Sequence, residues 1–166
     1  MIECQYNLIL RINEVLLIRY PQDIRDTEIY CRASKNEDNR WRRAPTWLTK
    51  RLLDYGARNH NVIVMDRGFI FNISTTMAER IVREVATKAG IQATTIQETK
   101  NRTRNKYKIT SHTLRAAGAT HAISNGAKHR AVQQYGGWKS LHAFEIYIKQ
   151  VEIDEEIAKL HDQNKE

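Results

Sequence analysis

Residues 111–149 read SHTLRAAGATHAISNGAKHRAVQQYGGWKSLHAFEIYIK and hold four side chains whose chemistry could be used together. His112 and Arg115 stand three apart, so on a helix they share a face. Both donate hydrogen bonds to anions, and the planar fork of arginine matches the oxygens of a phosphate. Trp138 follows 23 residues after Arg115, and its indole N–H is a neutral donor suited to a phosphate oxygen. Tyr147 comes nine residues later. A phenol can serve as a covalent nucleophile where its surroundings stabilise the charge that forms. Singly, each has a plainer reading. HxxR alone describes an exposed polar face, a tryptophan after Gly136-Gly137 is a core side chain, and Tyr147 shares a stripe with Phe144 and Ile148.

Positioning such a set falls to the elements around it. Residues 110–126 form a helical segment with a cap candidate at Ser111 and a stop at Asn125-Gly126. A second runs over 127–137 and stops at Gly136-Gly137; a third starts at Ser140 and is one helix or two. Upstream, LILRINEVLLIRY (8–20) has helical apolar spacing at Leu10, Val15, Leu16 and Ile18. TEIYCRA alternates like a strand, KNEDN turns and RWRRAP returns, which predicts one hairpin. Residues 45–58 carry a proline near a helix start and a glycine near its end, and NVIVM (61–65) is a short strand candidate. STTMAERIVREVATKAG (74–90) is the clearest helix, with Ser74 or Thr75 as cap and Gly90 as stop. There is no repeat, low-complexity tract or Pro/Gly-rich linker, so residues 1–166 read as one domain of α+β class, mainly helical.

Length and composition agree with that. A chain of 166 residues, 41% hydrophobic and 28% charged, is long and apolar enough to bury a core. No apolar run reaches the length of a membrane span, and MIECQYNLIL lacks a basic leader, so the expected location is the cytoplasm. Cys4 and Cys31 form no CxxC and sit in no zinc-ligand spacing, which makes them buried thiols and leaves no metal site. The net charge of +8 points to a phosphate polymer as partner. KNRTRNKYK (100–108) has five cations and no acid, and KNEDNRWRR (35–43) has four against two. Interleaved with Trp41 and Tyr107, these runs make Arg40, Arg42, Arg43 and then Lys100, Arg102, Arg104, Lys106 and Lys108 candidate contacts to double-stranded DNA. The stretch after Gln150 is net acidic, with Val151, Ile153, Ile157 and Leu160 spaced as a packed helix face.

LRAAGATHAISNGAKHRAVQQYGGWKS (114–140) resembles the LRxxxATxLxxxGxxxxxVxxxLGHxS stretch of the tyrosine recombinases, the phage-integrase family. Trp138 stands where that family has histidine or tryptophan, and Tyr147 where it has its nucleophile. LRINEVLLI (10–18) is similar to the family's first arginine box, LRxxELxxL, which makes Arg11 the first catalytic arginine. The hairpin CRASKNEDNRWRRAP resembles the one that carries the family's catalytic lysine, here Lys35, 24 residues after Arg11. Arg32 and Arg40 are cations close by. Two features depart from the pattern. Leu8-Ile9 replaces the usual Thr-Gly before the first box, and the chain begins at that box, so a core-binding domain and the first catalytic helices are expected to be absent.

The resemblance implies a catalytic domain with a small antiparallel hairpin or sheet at one edge, and site-specific DNA recombination of the integration or excision type. Tyr147 would attack a scissile phosphate to give a 3′-phosphotyrosine and a free 5′-hydroxyl. Arg11 and Arg115 would hold the non-bridging oxygens, with His112 and Trp138 adding hydrogen bonds, and Lys35 would protonate the leaving oxygen. Neither cofactor nor metal is implied. Family partners are DNA and other protomers: a tetramer on paired sites in the full-length protein, a monomer for this piece alone, with 151–166 as a tail helix able to contact a neighbour. Two rival readings use the same residues: a type IB topoisomerase-like relaxase, and a DNA-binding regulator with an idle site.

Overall fold

The segment that reads as one N-terminal helix is broken in two in the computed structural model, which describes residues 1–33, 39–65, 67–92, 94–99 and 102–163. Helix α1 (Ile2–Asn7) is followed by α2 (Ile12–Leu16), with Ile9 at φ 52 between them. The break has a packing cause. Leu8 and Leu10, both fully buried, enter one core, while Ile9 enters another. One regular helix turn cannot send three consecutive side chains to opposite cores. The break leaves Arg11 as the residue that caps α2, at ψ 150.

Strands β1 (Ile24–Arg25), β2 (Glu28–Cys31) and β3 (Arg40–Arg43) form an antiparallel sheet in that order, with Ile29 opposite Arg42 and Tyr30 opposite Trp41. Ile29 and Cys31 face inward, while the Tyr30 and Trp41 rings meet at 5.3 Å on the other face. Helix α3 (Thr46–Arg58) follows Pro45 as expected. The expected strand NVIVM is instead part of α4 (His60–Met65). A short apolar run fits a buried helix turn as well as a strand, and Ile63 supplies the burial from the helix. In α5 (Thr75–Lys88) the Ser74 hydroxyl accepts from the Met77 N–H at 3.2 Å.

A second hairpin, which the sequence pattern did not suggest, follows: β4 (Thr94–Thr99) pairs with β5 (Arg102–Tyr107). Helices α6 (Ser111–Ser124), α7 (His129–Gly136) and α8 (Leu141–Gln163) complete the chain, α8 as one uninterrupted helix. Two cores result. One gathers Leu8, Leu10, Val15, Ile18, Ile29, Leu48 and Cys4 with Cys31; the other gathers Ile9, Ala119, Ile123, Val132, Phe144 and Val151. Both thiols are free and buried, and burial pushes the Cys31 thiol up to about 12. Gly118 lets α6 lie against α1, because a Cβ there would stand 2.2 Å from the Tyr6 carbonyl oxygen. That contact brings the HxxR face of α6 to the Arg11 break. Among the described residues no helix is long and apolar enough to cross a membrane.

Candidate active site

The break before α2 and the first turn of α6 meet over one carboxylate. Glu14, fully buried, accepts the Arg11 backbone N–H at 2.8 Å and the Arg11 Nη1 at 2.9 Å. Its other neighbour is Arg115, whose Nη1 lies 3.9 Å from Glu14 Oε2. The two arginines differ in exposure: the Arg115 side chain is 3% accessible and that of Arg11 37%. Two guanidinium charges against one carboxylate leave a net positive charge, and burial of Arg115 shields it little from an incoming anion. A cleft of about 280 Å3 is lined by Arg11, His112 and Arg115 together with Gln5, Ile12, Asn13 and Ser111.

The start of α6 is anchored from outside. Thr110, not Ser111, is its cap residue, and its N–H donates to Thr113 Oγ1 at 3.2 Å. Ser111 turns to Glu79 of α5, donating through its backbone N–H at 3.1 Å and through its hydroxyl. His112 is thereby exposed at the cleft mouth while Arg115, one turn on, points inward.

Arg115 also joins the other half of the candidate set. Its Nη2 donates to the Gly136 carbonyl at 2.7 Å, and its guanidinium lies 4.3 Å from the Trp138 ring centre. Trp138 in turn packs on Phe144 at 5.1 Å and Tyr147 at 5.2 Å. Gly136 is needed for this stack, since a Cβ there would fall 1.8 Å from the indole. Arg11, His112 and Arg115 thus share the cleft, and Trp138 and Tyr147 are tied to it through Arg115. Tyr147 itself is half-buried and is not among the residues lining the cleft. Lys35 lies outside the described residues.

The two cations near Lys35 are engaged elsewhere. Arg32 donates to Asp23 Oδ1 at 2.9 Å and to the Leu17 carbonyl at 3.0 Å, and the Asp23 hydrogen bond raises its pKa, which makes it a poor proton donor. Arg40 donates to the Gln134 and Tyr135 carbonyls. Of the expected DNA contacts, Arg43 is exposed, but Arg42 is a correction: it is 5% accessible, opposite Ile29, and donates to the Tyr135 and Leu8 carbonyls. Desolvation lowers its pKa. Lys108 is exposed; Arg102, Arg104 and Lys106 lie on β5 with their side chains outside the described set, as is Lys100 altogether.

Sequence reasoning passed over Glu14 and Glu79. Glu14 was detectable as an acid three residues after Arg11, whereas Glu79 meets Ser111 only through the packing of α5 on α6. Three larger hollows, of about 660, 500 and 400 Å3, contain none of the five candidate catalytic residues that the structure describes. Val151 of the expected tail packs in the chain's own core beside Phe144. Among the described residues no three His, Cys, Asp or Glu side chains are grouped to hold a metal ion.

The family model described as the phage integrase family matches residues 1–152. Among solved structures, the crystal structure of XerA recombinase superposes with a TM-score of 0.70 at 21% identity, over 99% of this chain and 56% of that one. The XerH site-specific recombinase bound to palindromic difH substrate, a post-cleavage complex, gives 0.72 at 18% identity, over 95% of this chain and 43% of that one. Its pre-cleavage complex with difH gives 0.67 at 18%, over 89% and 41%. The chain therefore spans about half the length of the recombinases it resembles, and at these identities the likeness is one of fold. No curated protein sequence matches it.

Proposed function

This chain belongs to the phage integrase family, and on that premise we propose that it acts in site-specific DNA recombination, cutting and rejoining strands through Tyr147. In the first step the phenol oxygen of Tyr147 bonds to phosphorus at the scissile position, and the bond to the 5′ oxygen breaks. The strand end is then held as a 3′-phosphotyrosine. The phenol proton leaves by way of His112, and the departing 5′ oxygen takes a proton from Lys35. Attack by a partner strand's 5′-hydroxyl reverses the step, so bond energy is conserved in the phosphotyrosine.

The observation that supports this reading best is the Glu14 carboxylate shared by Arg11 and Arg115 at the edge of one cleft with His112. Two guanidinium groups fixed before substrate arrives can offset the charge that grows on the non-bridging oxygens without reorganising in the transition state. The Arg115–Trp138–Tyr147 stack supports placing the nucleophile beside them, with the bound phosphate drawing the phenol in. The substrate of the reading is double-stranded DNA, approached by Arg43, Lys108 and the β4–β5 hairpin. Other protomers on paired sites are the second partner, contacted by the part of α8 beyond Val151.

Incubation with a duplex nicked just beyond the scissile phosphate tests the reading. The short fragment diffuses away after cleavage and traps a covalent protein–DNA band. A trapped band that disappears in Tyr147→Phe is expected; binding without any band would make the protein a regulator. Relaxation of supercoiled plasmid lacking paired sites would favour a topoisomerase.

A further inference from the structure

Three arginines from two distant parts of the chain converge on the last carbonyls of α7. Arg40 donates to Gln134 at 2.8 Å and Tyr135 at 3.2 Å, Arg42 donates to Tyr135, and Arg115 donates to Gly136 at 2.7 Å. The tie is mutual, since the Tyr135 hydroxyl donates to the Arg43 carbonyl at 2.6 Å. A helix C-terminus carries partial negative charge on carbonyls that have no partner within the helix, so cations are favoured there. Capping alone would be served by surface side chains. Arg42 is instead buried, over the Tyr135 ring at 5.5 Å, and its Nη1 reaches also to the Leu8 carbonyl at 3.3 Å.

Those two acceptors flank the site from opposite sides. Leu8 lies three residues before Arg11, at the break that sets the Arg11 cap. Tyr135 lies one residue before Gly136, which receives Arg115 and carries the Trp138 ring. We infer that Arg42 is a positioning residue for strand cleavage, a buried clamp from β3 that sets the Arg11 segment and the Gly136–Trp138 segment at a fixed separation. Its action is indirect: it touches neither phosphate nor nucleophile. It fixes the Tyr135 carbonyl, one residue before the Gly136 carbonyl on which Arg115 rests, and through that segment the distance between the two arginine forks. Displacements of about 1 Å in such a constellation can cost on the order of a hundredfold in rate.

The inference rests on the cleavage reading, and two measurements keep the two apart. Arg42→Met preserves length and burial but donates nothing; Arg42→Lys can hold one of the two carbonyls. Single-turnover cleavage of the nicked duplex at saturating DNA, well below the melting temperature, should fall roughly ten- to a hundredfold in Arg42→Met, with affinity within about twofold, and recover in part in Arg42→Lys. Tyr135→Phe, which removes only the return bond to Arg43, serves if Arg42→Met does not fold, and should slow cleavage several-fold. A lower melting temperature with cleavage at the wild-type rate would make Arg42 merely structural and overturn the inference. If the wild-type protein forms no adduct, the functional reading fails instead, and the clamp is judged by 19F NMR of 5-fluorotryptophan protein. The Trp138 resonance, assigned with Trp138→Phe, should shift in the variants while that of Trp47 on α3 stays in place; an unmoved Trp138 signal overturns the clamp.

Discussion

Replacing Glu14 by glutamine separates two effects that usually fall together, the holding of DNA and the cutting of it. The side chain is fully buried and keeps its shape in the variant, so no cavity opens. What disappears is charge. Glu14 Oε2 and Oε1 accept one Arg11 bond each, at 2.8 and 2.9 Å; an amide keeps a single acceptor oxygen, so one of these bonds goes with the charge, and Arg115 loses its counter-charge at 3.9 Å. The lost bond and the weakened remaining one together cost about 1–2 kcal/mol, and the 37% exposure of Arg11 screens part of it. With the buried Arg115 side included, the loss is about 2–3 kcal/mol, which lowers the melting temperature by roughly 5–10 °C for a domain of this size. DNA affinity should hold or rise slightly, because a carboxylate has been removed from the phosphate's neighbourhood. Cleavage should fall on the order of a hundredfold, because the two forks are no longer held to a common point. Melting curves, a binding titration and single-turnover trapping read the three quantities. If affinity drops in parallel with cleavage, or cleavage does not change, Glu14 does not organise the arginines and the reasoning fails.

Arg115→Lys keeps the positive charge and loses the fork, so single-turnover cleavage should drop about a hundredfold with little change in affinity; a loss of affinity alone would make Arg115 a docking residue. A 5′-bridging phosphorothioate leaves without a proton and should rescue Lys35→Ala but not Arg11→Ala, and rescue of an Arg40 variant instead would move the general acid there. Neutralising Lys100, Arg102 and Arg104 should flatten the slope of log affinity against log salt by roughly one unit for each phosphate no longer neutralised, measured by titration at several salt concentrations. The Cys31 thiol ordinarily titrates near 9.0 and is pushed up to about 12 by burial, so the unfolded chain releases its proton first. The contribution of Cys31 to stability is therefore full below pH 9 and is lost as pH rises towards 12; denaturant melts of Cys31→Ala should show a shallower alkaline decline than wild type.

Local signals were legible where local physics decides. Ser74, the apolar period that follows it and Gly90 specify α5 within a few residues of its observed ends. The hairpin of β2 and β3 was readable from alternation and the turn between, and Arg11, His112 and Arg115, far apart along the chain, line one cleft. What escaped is what tertiary packing decides. The break at Ile9 exists because three neighbouring side chains serve two cores, and no periodicity within 8–20 shows that there are two. NVIVM has strand composition, but its place after α3 and the burial of Ile63 make it a helix. The β4–β5 hairpin was hidden by the charge of KNRTRNKYK, whose cations signal a phosphate partner more strongly than strand pairing. Arg42 reads as one of three surface cations in RWRR, yet alternation along β3 sends it inward opposite Ile29, where the end of α7 awaits it.

The central claim is that Tyr147 becomes bonded to DNA, and mapping the trapped adduct addresses it directly. Trypsin cutting after Lys139 and Lys149 releases residues 140–149, SLHAFEIYIK, in which Tyr147 is the single tyrosine. Mass spectrometry of the nuclease-trimmed, trypsin-digested adduct should find this peptide carrying a nucleotide through its 3′-phosphate, and the released strand should accept label from a kinase without prior dephosphorylation. A nucleotide on any other peptide, or a released strand that already carries a 5′-phosphate, would contradict the account.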